Sequence, residues 1–325
     1  MRDVRAAAVR RSVVIVLGVL AASGAALAMQ GRAKRDLAGM GPGERLVARL
    51  ETAKGGETIT LAPGEYGVVK FPARTYVPAI TLMAGSARFT GLVLKKVEGV
   101  SINGGTVTGP GGRSYGVLIN GARNITVEGM TITGAHRGIV LGRSDRVRVS
   151  GNTLTGLLSD GIDVSNASNV VVRGNTCRDF SPRPTTFDAA GKRLTVGDHP
   201  DCIQGWSRPP TPMSDVLVEN NDMEGKMQGV FFGNHVRNGV NDGGYDRIII
   251  RNNRVRVTHP NGIVIYDARD SIVTGNTVST YPGPVNPRSG RPNRSNIRVK
   301  DGVRTIVCGN RIADFPNTPP TRRCR

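Results

Sequence analysis

The chain has 325 residues, a formal net charge of +19 at pH 7, 43 glycines, four cysteines and only 4% aromatic residues. A chain this basic is expected to meet an anionic partner such as an acidic glycan or an envelope surface, although a merely solvated basic surface has the same composition. Beyond the N-terminus no apolar run is long enough to cross a membrane, which excludes a multi-span membrane protein.

Residues 1–28 have the pattern of a secretory signal peptide. Arginines precede an apolar run from Val13 to Leu20, and Ala26-Leu27-Ala28 forms a small-residue cleavage site. The alternative is an uncleaved anchor. We expect cleavage, a polar leader over residues 29–42, no membrane span in the mature chain, and export to the periplasm or the extracellular space. Nucleic acid is not an expected partner in that compartment.

A cap and a solenoid are predicted for residues 43–325. Gly43 to Lys54 reads as a short amphipathic helix, which would cover the exposed first coil of a repeat protein. We expect this domain to be a monomer.

The repeat itself is a short β-branched strand, a Gly-Asn turn and a second short strand. Asn152 and Asn175 mark one step of 23 residues, a period typical of solenoids. A third strand, such as Gly161 to Ser165, lies between successive repeats. The pattern predicts an all-β fold, a single-stranded right-handed parallel β-helix with three parallel sheets. It also predicts an internal ladder of Asn152, Asn175, Asn221, Asn253, Asn276 and Asn310.

Three insertions interrupt the repeat on either side of the third strand. They are residues 181–200, 237–245 and 281–294. Long loops in an economical repeat commonly build a binding site, so we expect a groove along the sheet of third strands.

Polar residues concentrate on the outward face of that sheet in the central coils. Alternation places the predicted catalytic residues there, or at the start of a third strand: Asp160, Asp163, His199 and Asp201. The predicted substrate-binding residues are Arg137, Gln204, Trp206, Gln228, His235, Tyr266, Arg298 and Lys300. The structural alternative is that Asp160 and Asp201 only cap turns.

Residues 43–315 resemble the pectin-lyase-like superfamily of right-handed parallel β-helices. Ser159 to Ser165 resembles the Asn-Thr-Asp-Gly motif of polygalacturonases, Asp201-Cys202 the end of their Asp-Asp-Cys motif, and Arg298-Val299-Lys300 their Arg-Ile-Lys clamp. Pro200 and Gln228 depart from that pattern, because an Asp and a His are expected there.

The resemblance implies an exported enzyme acting on an acidic, uronate-containing polysaccharide by lyase or epimerase chemistry. His199 would be the base, Asp201 would orient it, and Arg298 and Lys300 would grip a sugar carboxylate. The alternatives are a polygalacturonase-like glycoside hydrolase, or a non-catalytic glycan-binding or envelope-surface β-helix. No metal motif is present, although Ca²⁺ could serve as the cation beside Asp160, Asp163 and Asp201.

The four cysteines fit an oxidising compartment. Cys308 and Cys324 could pin the C-terminal tail to the last coil. Cys177 and Cys202 lie in consecutive coils and could either pair or remain two buried thiols.

Overall fold

The computed structural model describes residues 39–208, 212–233, 236–237, 240–241, 243–283, 290–314 and 324. The chain divides into two compact units, residues 1–40 and 41–325. The predicted signal peptide and nearly all of the predicted leader lie outside the described residues. Within the described part of the chain, no helix is both long and apolar enough to cross a membrane.

One α-helix, α1 (Pro42–Thr52), opens the second unit. Pro42 suits the first helical turn, and the Glu44 carboxylate accepts a hydrogen bond from the Gly41 amide at 2.9 Å. Leu46 and Leu50 are 4% and 0% exposed and belong to the hydrophobic core, as the amphipathic pattern predicts. The helix packs against the first coil and therefore serves as its cap.

The rest of the unit is a stack of coils with three strand faces. Strands of the first face precede the repeating turn: Thr58–Thr60, Thr75–Phe89, Glu98–Thr108, Arg123–Glu128, Asp145–Ser150, Ser168–Arg173, Met213–Glu219, Tyr245–Asp246, Ile249–Arg251, Ala268–Arg269, Ile272–Thr274 and Ile306–Cys308. Strands of the second face follow the turn: Gly64–Glu65, Thr131–Thr133, Thr153–Thr155, Thr176–Arg178, Asp222–Gly225, Arg254–Val257, Thr277–Thr280 and Arg311–Ile312. The first two faces form one 20-stranded sheet, because Thr75–Phe89 and Glu98–Thr108 bend through the turn and contribute to both.

The third face is a separate nine-stranded parallel sheet. Its strands are Val68–Lys70, Gly91–Lys95, Tyr115–Asn120, Arg137–Gly142, Ile162–Ser165, Asp201–Trp206, Gln228–Phe232, Asn261–Tyr266 and Asn296–Lys300. Two short hairpins lie outside the coils, Thr186–Phe187 with Arg193–Thr195 and Val236–Arg237 with Val240–Asn241. The predicted right-handed parallel β-helix with three faces and a capping helix is confirmed.

The asparagine ladder is also confirmed. Each Asn from 152 to 276 donates its side-chain amide to the Oδ1 atom of the next, at 2.8–3.0 Å. That same oxygen accepts the preceding Asn's backbone N–H, for example Asn175 N to Asn221 Oδ1 at 2.9 Å. The six side chains are 0–2% exposed, so the ladder satisfies polar groups that water cannot reach.

The residue before each ladder Asn takes a left-handed conformation. It is Gly151 (φ 62°) or Gly174 (φ 63°) in two coils and Asn220 (φ 56°) or Asn252 (φ 55°) in two others. Glycine and asparagine are the residues that tolerate this region best, which explains why the repeat reads Gly-Asn or Asn-Asn. The inward positions Val149, Val172, Val218 and Ile250, which the pattern assigns to the core, are 0% exposed.

Both pairs of cysteines form disulfides. Cys177 and Cys202 join consecutive coils with a Cα–Cα distance of 5.9 Å, and both are fully buried. Cys308 joins the last strand of the first face to Cys324. The first bridge closes the loop that contains the 181–200 insertion.

Candidate functional site

Three aspartates and one arginine meet on the third face. Asp160 precedes the strand Ile162–Ser165, Asp163 lies on it, and Asp201 begins the adjacent strand. Their side chains are 1–3% exposed. Arg137, one coil earlier, places Nη1 2.9 Å from Asp163 Oδ2 and Nε 3.2 Å from Asp160 Oδ2. We call these four residues the acid cluster.

The Asp160 carboxylate is the most supported of the three. It accepts a hydrogen bond from the backbone N–H of Asp201 at 3.1 Å in addition to its charge contact with Arg137. Arg137 Nε is close to Asp160 but not aligned with it as a hydrogen bond, so this contact is ionic. Asp163 Oδ1 and Asp201 Oδ1 are buried and have no hydrogen-bond partner among the described residues.

Burial raises the pKa of all three carboxyls. Desolvation and the neighbouring Asp160 charge raise the pKa of Asp163 to about 8, against the opposing effect of Arg137. Desolvation, then the charges of Asp160 and Asp163, raise the pKa of Asp201 well above its usual range. The pKa of Asp160 is also raised by desolvation. Three carboxyls with one guanidinium therefore retain a proton at neutral pH.

A pocket of about 1070 Å³ opens beside the acid cluster. Asp163 and Arg137 form part of its wall, Trp206 and Tyr115 supply aromatic rings, and Arg143 and Arg208 add exposed cations. The other lining residues are Leu118, Asn120, Val140, Leu141, Gly142, Ser165, Asn166 and Ser207. Most of these residues end a third-face strand or follow it directly, so the pocket follows one edge of the sheet.

One outward column of residues runs along the third face. Leu118, Val140, Asp163, Gln204, Phe231, Val264 and Arg298 are successive partners across the sheet. Gln204 is 7% exposed beside Asp163, and Val264 is 0% exposed although it belongs to no part of the main core.

The 181–200 insertion is tied to the third face by a clasp that the sequence did not reveal. Asp198 Oδ1 lies 3.1 Å from His136 Nε2, and Asp198 Oδ2 accepts a hydrogen bond from Arg183 Nε at 2.7 Å. The Arg183 hydrogen bond holds the pKa of Asp198 well below its usual range. With the Cys177–Cys202 bridge at its base, the clasp fixes the approach of Pro200 and Asp201.

His199 is exposed, and no hydrogen bond or ion pair joins it to Asp201 in the described part of the chain. The pKa of the neighbouring His259 is lowered to about 4. Desolvation is the main cause, and the nearby charges of His199 and Arg298 lower it further. His259 Nδ1 accepts the Asn261 N–H at 3.2 Å, so a neutral His259 carries its proton on Nε2. His199 and Arg298 thus both lie near His259, and these three residues form a second cluster on the same face.

The remaining predicted binding residues lie at different places on the third face. Trp206 lines the pocket. Gln228 Oε1 accepts a hydrogen bond from Asn261 Nδ2 at 2.6 Å. Lys300 Nζ lies 5.9 Å from the centre of the Tyr266 ring, and Arg298 is exposed on the same strand as Lys300. His235 lies outside the described residues.

Metal binding gains no support from this arrangement. Among the residues that the structure describes, no group of three or more His, Cys, Asp or Glu side chains is placed to hold an ion. The cation that the structure shows beside Asp160 and Asp163 is the Arg137 guanidinium.

Arg143, Asn166, Ser207 and Arg208 were not predicted as site residues. They occupy the first or second position after a third-face strand. The sequence did contain a signal for these four positions. Each follows the end of a third strand, where a turn directs side chains along the edge of the sheet.

Comparisons with known proteins found one matching family model and several similar solved structures. A family model described as a right-handed β-helix region matches residues 86–196. No curated protein matches the chain. A tailspike protein of E. coli bacteriophage HK620 is 16% identical, with a TM-score of 0.49 over 82% of this chain and 52% of that chain.

Two enzymes are similar at the same level. The alginate lyase AlyF-OU02 is 14% identical, with a TM-score of 0.48 over 80% of this chain and 60% of its own. DFA-IIIase from Arthrobacter chlorophenolicus A6 is 14% identical, with a TM-score of 0.45 over 76% and 61%. The chain thus spans only about half to three fifths of the solved structures that it resembles. The stacked parallel coils, together with the family model matched over residues 86–196, show that this chain has the right-handed parallel β-helix fold.

Proposed function

We propose that this β-helix protein is an exported enzyme that hydrolyses a glycosidic bond in an acidic polysaccharide. The observation that carries the proposal is the acid cluster, whose three carboxyls are buried beside one arginine. Its members Asp163 and Arg137 also line a pocket that contains aromatic and cationic side chains. Buried groups with strongly raised pKa values beside a pocket are typical of catalytic sites.

Glycoside hydrolysis needs a carboxylic acid and a carboxylate at the same bond. Asp163 lines the pocket and holds a proton at neutral pH, so we assign it as the general acid that protonates the leaving oxygen as the C–O bond breaks. Asp160, supported by Arg137 and the Asp201 amide, is assigned as the carboxylate that takes a proton from the attacking water. The backbone N–H of Asp201 donates this hydrogen bond, so Asp201 positions the Asp160 carboxylate.

Lyase or epimerase chemistry is the second candidate, and the His199 cluster favours it. The exposed His199 imidazole supplies a base, and Arg298 and Lys300 on one strand supply cations that could neutralise a uronate carboxylate. The two candidates use different residues, so they can be separated by mutation.

The test is incubation of the purified protein with polygalacturonate, alginate and other polyuronates, followed by two assays. Hydrolysis releases reducing ends without the ultraviolet absorbance of an unsaturated uronate, whereas elimination produces both. Under the proposal Asp163→Asn abolishes the activity and His199→Ala leaves it. The reverse pattern would establish the lyase candidate. Binding without turnover in every assay would contradict both and support a binding protein.

Export is a separate part of the proposal. The N-terminal sequence supports it, with a cleavage site after Ala28. N-terminal sequencing of the protein secreted by an expressing cell should begin at Met29. A retained N-terminus in a membrane fraction would contradict cleavage and support the anchor alternative.

A further inference from the structure

Three aromatic rings stand in a row along the edge of the third face. Trp206 and Tyr266 occupy the same column of the sheet, two coils apart, with Gly233 between them by continuation of the same register. All three rings, those of Trp206, Phe231 and Tyr266, are half-buried. We call them the aromatic platform.

Gly233 is the residue that makes the row continuous. Phe231 belongs to the neighbouring column, but its ring lies over Gly233, where a Cβ would come within 2.7 Å of Phe231 Cζ. The same ring meets Tyr266 edge to face, with a centroid distance of 6.4 Å. The absence of a side chain at Gly233 thus allows the Phe231 ring to fill the gap between Trp206 and Tyr266.

Cations stand at both ends of the aromatic platform. Lys300 continues the column past Tyr266 and lies 5.9 Å from the ring centre. At the other end, Arg143 and Arg208 line the same pocket as Trp206. Neither arginine side chain has a hydrogen-bond or ion-pair partner among the described residues, in contrast to the paired arginines of the first face such as Arg247 and Arg304.

We infer that the aromatic platform binds an acidic oligosaccharide lying parallel to the coil axis, with its sugar rings on Trp206, Phe231 and Tyr266 and its acidic groups at Arg143 and Arg208 on one side and Lys300 on the other. This inference rests on the proposed function for its substrate class. Sugar rings present apolar C–H faces that stack on aromatic rings, while the flanking cations select an anionic chain. Trp206 to Lys300 is three coil steps, roughly 14 Å at the spacing of adjacent strands, so the occupant is several sugar units long.

The position of the aromatic platform also places a bound glycan beside the acid cluster. Asp163 and Trp206 line one pocket, and Asp163 pairs with Gln204 two residues before Trp206. A chain on the aromatic platform therefore passes beside Asp163, with the sugars on Phe231 and Tyr266 lying toward the C-terminal coils.

The fluorescence of Trp206 tests this inference directly, because it is the only tryptophan in the chain. The titrants are the trisaccharide and the hexasaccharide of galacturonate, the corresponding oligoguluronates and single-stranded oligothymidylate. Turnover is prevented by working in the Asp163→Asn background. We expect an acidic hexasaccharide to perturb Trp206 fluorescence and to bind roughly tenfold tighter than the trisaccharide.

Variants then assign the binding to the row. Phe231→Ala, Tyr266→Ala and Gly233→Ala, which displaces the Phe231 ring, should each weaken hexasaccharide binding roughly three- to tenfold. Arg143→Ala and Arg208→Ala should weaken it and reduce its dependence on salt. Ile306→Ala and Arg148→Ala, exposed on the first face, are the matched controls and should change nothing. Unchanged melting temperatures exclude unfolding as the cause.

The inference is overturned if neither oligouronate series changes Trp206 fluorescence, if the platform variants bind as tightly as the parent, or if oligothymidylate binds as tightly as the hexasaccharides. Because the readout is binding, it is separable from the proposed function. Hexasaccharide binding that depends on the three rings, in a protein without hydrolytic turnover, would uphold the aromatic platform and contradict the assignment of the acid cluster.

Discussion

Arg137 Nη1 lies 2.9 Å from Asp163 Oδ2, and this contact joins two adjacent coils at the edge of the pocket. Arg137 is a single cation beside three buried carboxyls, so it compensates only part of their negative charge. The cluster therefore depends on pH in a way that an ordinary surface ion pair does not.

The first prediction concerns stability and pH. The pKa of Asp163 is about 8 in the folded protein and about 4 in the unfolded chain, so the folded state binds more protons between these values. The Asp163 carboxyl therefore contributes fully to the free energy of unfolding below about pH 4. This contribution declines as pH rises toward 8, by up to about 1.4 kcal/mol for each pH unit. Urea denaturation at pH 5 to 8.5 should show this decline. Asp163→Asn should make the decline shallower, with Asp160 and Asp201 supplying what remains. An unchanged slope in this variant would contradict the assignment of the proton.

The second prediction concerns the asparagine ladder. Asn221 donates to Val172 O and Asn253 Oδ1, and its own Oδ1 accepts from both amides of Asn175. Asn221→Ala leaves these buried groups without partners and should lower the free energy of unfolding by roughly 2–4 kcal/mol. Asn220→Gly is the control, because residue 220 is exposed with φ 56°, a conformation that glycine adopts freely. Equal effects of the two substitutions would mean that the ladder does not stabilise the fold.

The third prediction concerns the bridge beneath the site. Cys177 and Cys202 are 25 residues apart in sequence, so replacing both by Ala should lower the free energy of unfolding by about 3.5 kcal/mol by the loop-closure relation. Because Cys202 follows Asp201 directly, turnover should fall further than stability alone explains at a temperature where the variant is folded. Replacing Cys308 and Cys324, which lie at the C-terminal end, should leave turnover unchanged. Equal losses of turnover in the two double variants would contradict a role of the first bridge in holding Asp201.

The repeat made most of the fold predictable from sequence. The Gly-Asn turns specified the coil length, and the strict alternation within each third strand specified the column from Leu118 to Arg298 that the structure contains. The convergence of Asp160, Asp163 and Asp201 followed from the same register. Their pairing with Arg137 did not, because register gives only the column of a residue and not the direction of a long side chain.

The insertions were not predictable in the same way. Residues 181–200 have no repeat partner, so nothing in their sequence indicated that Asp198 would contact His136 or that His199 would lie near His259. The pocket residues Arg143 and Arg208 were missed because they lie in turns, where alternation no longer applies.

The most direct test of the central claim, that Asp163 supplies the proton for glycan cleavage, is the pH profile of reducing-end release from a polyuronate that the parent protein cleaves. General acid catalysis by a group with a pKa of about 8 predicts activity that persists through neutral pH and declines above pH 8. Asp163→Asn should reduce the rate roughly a hundredfold or more while Trp206 fluorescence still reports hexasaccharide binding. An Asp163→Asn variant with the rate and the pH profile of the parent would contradict the claim.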